Sequence, residues 1–496
     1  MPEPALQLEH LSRRFGAVLA VSDASATFHY GKMHALVGEN GAGKSTLLKL
    51  AGGAEKADQG RVLIEGVPLA PPTPAEAIRR GVGFVYQHFM LVDAFSTLEN
   101  LCLGHEPVGR FGALDENQAR RQAQAVMSKL DLDLDLEARV AELGVGQRQH
   151  IEIIRILIRG AKVILLDEPT AVLTPGQATH LYATLRRMAD AGSCIVVVTH
   201  RLQEVRAHCD HVTVLRRGKV VLDTATSAST VADWTRAIMG QEPPPPVQRP
   251  ARPEPVQGGL QLKSLRVEST DKGHLAVQDV SFTVPRGTIV GIAGVEGNGQ
   301  RELVRAIAGL QPCNEGSVWL DGADISKMSV AARRAAGLAV VHDDRHREGL
   351  MLDVSVSDNL VLGDLGTGSD EVKTVARRLG AYGIVPADPS IRARNLSGGN
   401  QQKVVMARAL DRSVAVAVLA QPTRGVDLGA ARGIHEAIFQ TARQGAAVLV
   451  ISADLAELRA ICHEIIVIAR GKVVTTLPPD TAEEVFGQAM LGEAAP

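Results

Sequence analysis

Residues 38–46 read GENGAGKST, and Gly38, Gly43, Lys44 and Ser45 within them satisfy the pattern GxxxxGK[ST]. The preceding run, VSDASATFHYGKMHALVG, alternates in a strand-like way, and helix-compatible residues follow the loop. Strand, glycine-rich turn and helix is the context that makes this pattern credible. Small residues let backbone amides curl around a β-phosphate, and the following helix adds its N-terminal dipole. Asn40, Gly41 and Thr46 belong to the same expected nucleotide-binding set. Lys44 is expected to meet the β and γ phosphates of ATP, and Ser45 to offer its hydroxyl to Mg2+. An ordinary glycine-rich loop is the plainer alternative; the acidic residues downstream argue against it.

Those residues lie in ILLDEPTA, 164–171. Asp167 ends the apolar run KVILL, which holds a carboxylate at a strand tip where it can bind magnesium or its water. Glu168 is then the candidate general base or water-orienting group. His200 follows the strand-like IVVVTH and is placed to contact the γ-phosphate and steady Glu168. Alone, such a histidine reads as structural. Gln87 in GFVYQHF is a candidate sensor of the metal or the attacking water, or else a solvent-facing loop residue. Phe15 in RRFG is either an adenine-stacking ring or a core phenylalanine.

The chain is a tandem repeat. GENGAGKST at 38 matches GVEGNGQRE at 294, an offset of 256 residues; LGVGQRQ at 143 matches LSGGNQQ at 396, and DEPTA at 167 matches AQPTR at 420, both offset by 253. Between the copies, MGQEPPPPVQRPARPEPVQGG at 239–259 is too rich in proline for regular helix and reads as an extended spacer. We delimit a first domain at 5–240, a linker at 241–258 and a second domain at 259–492. Within each copy, β-rich runs such as KVILLD, SCIVVVTH and AAVLVISA mix with helical stretches, giving α/β architecture with antiparallel additions. Mostly helical stretches are expected at about 99–141 and 356–394, and LGVGQ and LSGGN each to open a helix.

A length of 496 residues allows roughly two to four domains. With 53 basic against 55 acidic residues, no global positive field points to nucleic acid. The five cysteines are scattered, without paired metal-ligand spacing, which suits a reducing compartment. The N-terminus lacks the apolar core of a signal peptide, and no uncharged apolar run reaches about 20 residues. The chain is not expected to cross a membrane by itself.

Together these motifs resemble the ATP-binding cassette (ABC) family over nearly the whole chain. GENGAGKST resembles its phosphate loop, YQHF its glutamine loop, ILLDEPT its magnesium strand with the adjoining glutamate, Thr199-His200 its histidine switch, and LSGGNQQ its signature. The resemblance implies two tandem nucleotide-binding domains, each a RecA-like α/β core with an antiparallel β subdomain and an α-helical subdomain. DDRHREGL at 343–350 and QPTRGVDLGA at 421–430 resemble ATPases of bacterial sugar and nucleoside importers, and YQHFMLV, EPTAVLTP and AQPTRGVD look most like the nucleoside (basic-membrane-protein-type) branch.

In that family two cassettes face head to tail, so motifs are scored in crossed pairs. One expected site joins Lys44, Ser45, Gln87, Asp167, Glu168 and His200 with Ser397, Gly398, Gly399 and Gln401. The other has Gln300 and Arg301 in place of lysine and serine, Asp343 for glutamine, Ala420 and Gln421 for the acid pair, Ala453 for histidine, and Gly144 for the signature serine. The resemblance thus implies one hydrolysing centre, coupled through the loops after Gln87 and Asp343 to membrane subunits, with HFMLVDAF at 88–95 supplying either coupling contacts or packing beneath the helical subdomain. Expected partners are two integral-membrane permeases and an extracytoplasmic solute-binding protein, with either a second copy of this chain or none beyond the intrachain pair. The expected location is the cytoplasmic face of the bacterial inner membrane. A simple-sugar importer is the first alternative. A soluble double-cassette ATPase acting on ribosomes or DNA is the second; such proteins keep both sites intact and use a long charged helical linker. A non-hydrolysing structural module fits poorly with the intact Lys44, Asp167 and Glu168.

Overall fold

A computed structural model describes residues 4–492, apart from 17, 88, 110–113, 172, 243–247, 255, 270–274, 296 and 365–369. His88 of the expected coupling segment and the proline run at the heart of the linker therefore lie outside the described residues. The chain divides into two compact units, Met1–Pro244 and Pro245–Pro496.

The first unit is organised by a six-stranded sheet in the order Lys219–Ala225, His211–Arg216, Met33–Val37, Cys194–Val198, Val163–Asp167, Val82–Val85. Five of these strands run parallel, and Lys219–Ala225 pairs antiparallel at one edge. Strands buried on both faces need apolar residues at every position, and VILLD and CIVVV supply them. The pleat divides them cleanly. Val163 and Leu165 pack toward the four-stranded antiparallel sheet of Val18–His29, Pro4–Phe15, Gln59–Ile64 and Val67–Pro68, while Ile164 and Leu166 pack toward the helices on the other side.

The second unit repeats this plan. Its six strands run Leu338–Val341, Val416–Ala420, Ala447–Ile451, Ile289–Ala293, Glu464–Ala469, Lys472–Leu477, and its antiparallel sheet is Leu275–Arg286, Val256–Glu268, Glu315–Leu320, Ala323–Asp324. Each unit has the α/β core, antiparallel β layer and helical region expected from the sequence.

The helical stretches are shorter than expected. Helix covers Thr97–Cys102 and Glu116–Leu130 in the first unit, and Val356–Val361 and Glu371–Ala381 in the second. Gly104, at φ 77°, follows the first run, and DLDLDLE at 131–137 is not helical, burying Leu132, Leu134 and Leu136 while the intervening aspartates face solvent. That segment alternates with period two, a pattern incompatible with one helical face. LGVGQ and LSGGN do open helices, Val145–Ile158 and Gly398–Leu410.

Candidate active site

In the first unit the strand Met33–Val37 feeds the 38–43 loop into the helix Lys44–Ala51. Gly43 caps that helix at φ 101°, and a Cβ there would lie 2.2 Å from the Ala20 carbonyl oxygen. Glycine is therefore required twice over, by conformation and by space. Ala20 belongs to the hairpin strand Val18–His29, whose partner strand ends at Phe15, paired with Val18. Phe15 is 43% exposed, with the Arg13 guanidinium 4.8 Å from its ring centre. It is not a core residue, and the hairpin carrying it leans on the phosphate loop. Asn40 and Gly41 are exposed on that loop, and nothing lies within 4 Å of the Cβ that Gly41 lacks.

The amides of Lys44, Ser45 and Thr46 occupy the first helical turn, where no intrahelical acceptor exists. Lys44 is buried, with Nζ donating to the carbonyls of Gly38 (2.9 Å) and Glu39 (3.0 Å). Burial holds its ammonium pKa below the usual lysine range, against the pull of Glu168, Asp167 and Glu39. Ser45 Oγ donates to Asp167 Oδ1 at 3.2 Å across the mouth of the sheet. Asp167 is buried at the C-terminal tip of its strand, and burial raises its carboxyl above the ordinary value despite that hydrogen bond.

Glu168 sits one residue on, at φ 50°, and this left-handed turn swings its side chain off the strand. One carboxylate oxygen lies 3.5 Å from His200 Nδ1; the other accepts from Gln87 Nε2 at 3.3 Å. The contact with His200 is the main cause holding Glu168 below the usual glutamate range. Lys44, Ser45, Gln87, Asp167, Glu168 and His200 are thus gathered at the C-terminal ends of adjacent parallel strands, where open α/β sheets bind ligands.

The second unit keeps this scaffold and changes its chemistry. Gly299 caps the helix Gln300–Ala308 at φ 90°, and a Cβ there would lie 2.1 Å from the Ala276 carbonyl, the counterpart of the Gly43 and Ala20 contact. Gln300 Nε2 donates to the Val295 carbonyl at 3.0 Å, as Lys44 does to Glu39. Gln421 retains the left-handed turn at φ 49°, but its amide oxygen accepts from the Ala453 backbone at 3.3 Å. A cavity of about 250 Å³ opens here, bordered by Gln300, Arg301, Asp343, Ala420, Gln421 and Ala453 among others.

The LSGGN segment is laid out unevenly. Ser397 is exposed and caps its helix, its Oγ accepting from the Asn400 side-chain amide at 2.9 Å. Its own hydroxyl proton stays available to a ligand. Gly399 has no room for a side chain, since a Cβ would lie 2.7 Å from that of Ala430. Gln401 does not join the exposed face. It is buried, with Nε2 on the Ala393 carbonyl (3.1 Å) and Oε1 taking Arg345 Nε (3.3 Å) and His346 Nε2 (2.9 Å). In the first unit Gly144 caps the matching helix without any side chain to offer.

One network escapes a reading by motif. Thr170 and Tyr182 both donate to Glu204 Oε2, at 2.8 and 2.9 Å, and Arg201 reaches Oε1 at 3.1 Å. Glu204 thereby ties the turn after Glu168 to the helix after His200. In the second unit Thr423, His435 and Ser452 converge on Glu457 in the same way. The signal was present in the sequence, as Thr170 with Thr423 and Glu204 with Glu457 recur at the 253-residue offset.

The model of the ABC transporter family matches residues 21–171 and again 277–424. The chain belongs to the ABC transporter family. As such it binds ATP and is an ATPase, the energy-coupling part of a transport machine, with its nucleotide-binding unit present in tandem. This ABC transporter protein is 35% identical to the nucleoside import ATP-binding protein NupA of Lactococcus lactis subsp. cremoris, covering 99% of this chain and 98% of that one. It is 37% identical to the glucose import ATP-binding protein TsgD13 of Haloferax volcanii, covering 99% and 96%. It is also 37% identical to the ribose import ATP-binding protein RbsA 1 of Streptomyces avermitilis, covering 97% and 92%. Among the described residues, no helix is long and apolar enough to cross a membrane.

Proposed function

We propose that this chain drives the import of nucleosides, hydrolysing ATP at the first unit alone. The observation that carries the reading is the convergence on Glu168: His200 on one carboxylate oxygen, Gln87 on the other, and Lys44, Ser45 and Asp167 alongside. Lys44 and the loop amides bind the β and γ phosphates, and Phe15 stacks on the base. Glu168, kept ionised by its neighbours, accepts the proton of the attacking water, and His200 and Gln87 fix its direction. Ser45 Oγ and Asp167 Oδ1 form a hard-oxygen donor pair that fits Mg2+, and they are the residues that would hold it, with Gln87 close by. The ion, when bound, neutralises phosphate charge. Ser397, exposed at the head of its helix, and the amides of Gly398 and Gly399 offer hydrogen-bond donors suited to a nucleotide phosphate.

Permeases are the partners this reading requires, with an extracytoplasmic binding protein delivering the solute, and the chain works at the cytoplasmic face of the membrane. Nucleoside as cargo is supported by the words YQHFMLV, EPTAVLTP and AQPTRGVD and by likeness to a protein named for nucleoside import. A simple sugar is the second reading, favoured by 37% identity to proteins named for glucose and ribose import. The deciding experiment reconstitutes the chain with its permeases and binding protein and measures solute-stimulated ATP hydrolysis. Stimulation by purine or pyrimidine nucleosides supports the proposal. Stimulation by ribose or galactose alone replaces the cargo and keeps the mechanism.

A further inference from the structure

The second unit's cavity has the shape of a phosphate site and the wrong chemistry for a metal. In the first unit the two oxygens that fit a divalent cation are Ser45 Oγ and Asp167 Oδ1, 3.2 Å apart. The residues at those two places in the second unit are Arg301 and Ala420, and both border the cavity. A methyl group ligates nothing, and a guanidinium repels a cation while offering planar donors to phosphate oxygens.

The described residues of the cradle keep its form. The loop holds Gly297 at φ 94° and Gly299 at φ 90° and leads into a nine-residue helix whose first amides lack intrahelical acceptors. Gln300 closes the loop onto the Val295 carbonyl without bringing a charge. Arg301 is 47% exposed, with Nη2 3.8 Å from Glu348; that carboxylate also pairs with Arg305 and lies 3.5 Å from His342 Nδ1, so its charge is shared. Arg424 borders the same cavity. Two guanidinium groups, of Arg301 and Arg424, border the cavity together with the carboxylates of Asp343 and Glu302, and no carboxylate replaces Asp167 or Glu168, whose places hold Ala420 and Gln421. The strand-tip carboxylate that could hold a divalent ion in the first unit has no counterpart in the second.

We propose that the second unit binds a nucleoside di- or triphosphate without a divalent cation, with Arg301 standing in the place of the ion. This rests on reading the unit as a nucleotide-binding domain. The test uses the full chain carrying Lys44→Ala, which disables the first phosphate site, titrated with fluorescent methylanthraniloyl ADP and ATP in magnesium and in excess EDTA. The expected result is binding in EDTA within about threefold of that in magnesium, weakened about tenfold or more by Arg301→Ala and partly kept by Arg301→Lys. Binding only in magnesium, or EDTA-resistant binding indifferent to Arg301→Ala, overturns the proposal. Displacement of the probe by tripolyphosphate as effectively as by ADP overturns the nucleoside assignment. Magnesium-dependent ATP hydrolysis by the unsubstituted chain is measured in parallel. If it is present and EDTA-resistant binding is not, this inference fails alone; if it is absent, the ATPase reading fails with it.

Discussion

His200 Nδ1 lies 3.5 Å from Oε1 of Glu168, while the other oxygen of that carboxylate accepts a hydrogen bond from Gln87. The carboxylate is thus aimed from both sides, and as the proposed base it would have the role most sensitive to loss of charge. Glu168→Gln is expected to lower kcat about 100-fold or more while ATP still binds, because the amide keeps the shape and cannot take a proton. Steady-state hydrolysis alongside equilibrium ATP binding checks this. Unchanged hydrolysis in the purified complex would remove the first unit as the catalytic centre.

His200→Ala removes one of the two supports and leaves the base itself in place. A carboxylate free to swing loses alignment with water, at a cost of about 100-fold in kcat with a much smaller change in KM. Single-turnover rates separate this from a loss of binding; a change confined to KM would show that His200 serves binding alone.

Ser45→Ala deletes one oxygen of the pair with Asp167 and leaves the loop backbone undisturbed. The magnesium concentration for half-maximal hydrolysis should rise about tenfold or more. A metal titration of ATPase rate at saturating ATP reads it directly, and an unmoved midpoint would place the ion elsewhere.

Glu204→Ala strands two buried donors, the hydroxyls of Thr170 and Tyr182. Each unsatisfied group costs about 1–3 kcal/mol, so the thermal midpoint of the full chain should drop by several degrees. Glu204→Gln, which keeps an acceptor oxygen, should lose less. Equal melting of the two variants would contradict the network's role.

His34 lends the first unit an acid sensitivity. It is buried, edge-on to Phe28, with Nε2 accepting from the His29 amide at 2.9 Å, and it is faced by the rings of His29 and His211 and by Asp210. Burial, more than the neighbouring histidines, pushes its pKa down to about 3. A folded-state value below the unfolded one means that protons favour unfolding. Its contribution is therefore complete above about pH 6.5 and is lost at up to about 1.4 kcal/mol per pH unit as pH falls toward 3. Denaturant titrations at pH 7 and pH 5 should show a smaller difference for His34→Gln than for the unsubstituted chain.

The fold was legible because its signals are dense and repeated. Apolar runs ending at Asp167 and Val198 mark buried parallel strands, and the 256- and 253-residue offsets state that the plan occurs twice. The contributors to the first unit's site were legible as well, since each ends a strand or opens a helix. Side-chain commitments made across long loops were not. Gln401 sits in a recognisable motif, yet its amide is claimed by Arg345 and His346, more than 50 residues upstream. Helix is less extensive than its surroundings suggest where DLDLDLE alternates with period two inside a stretch otherwise flanked by helix.

The Ala20 carbonyl, pressed into the space where Gly43 has no side chain, joins the Phe15 hairpin to the phosphate loop as one body. On the proposed reading, base and phosphates would be met by parts whose spacing cannot be adjusted independently. The pair would act as a caliper set to one length, measuring a nucleotide from ring to phosphate before any chemistry begins. Widening the caliper at Gly43, even by a methyl group, should blur that measurement.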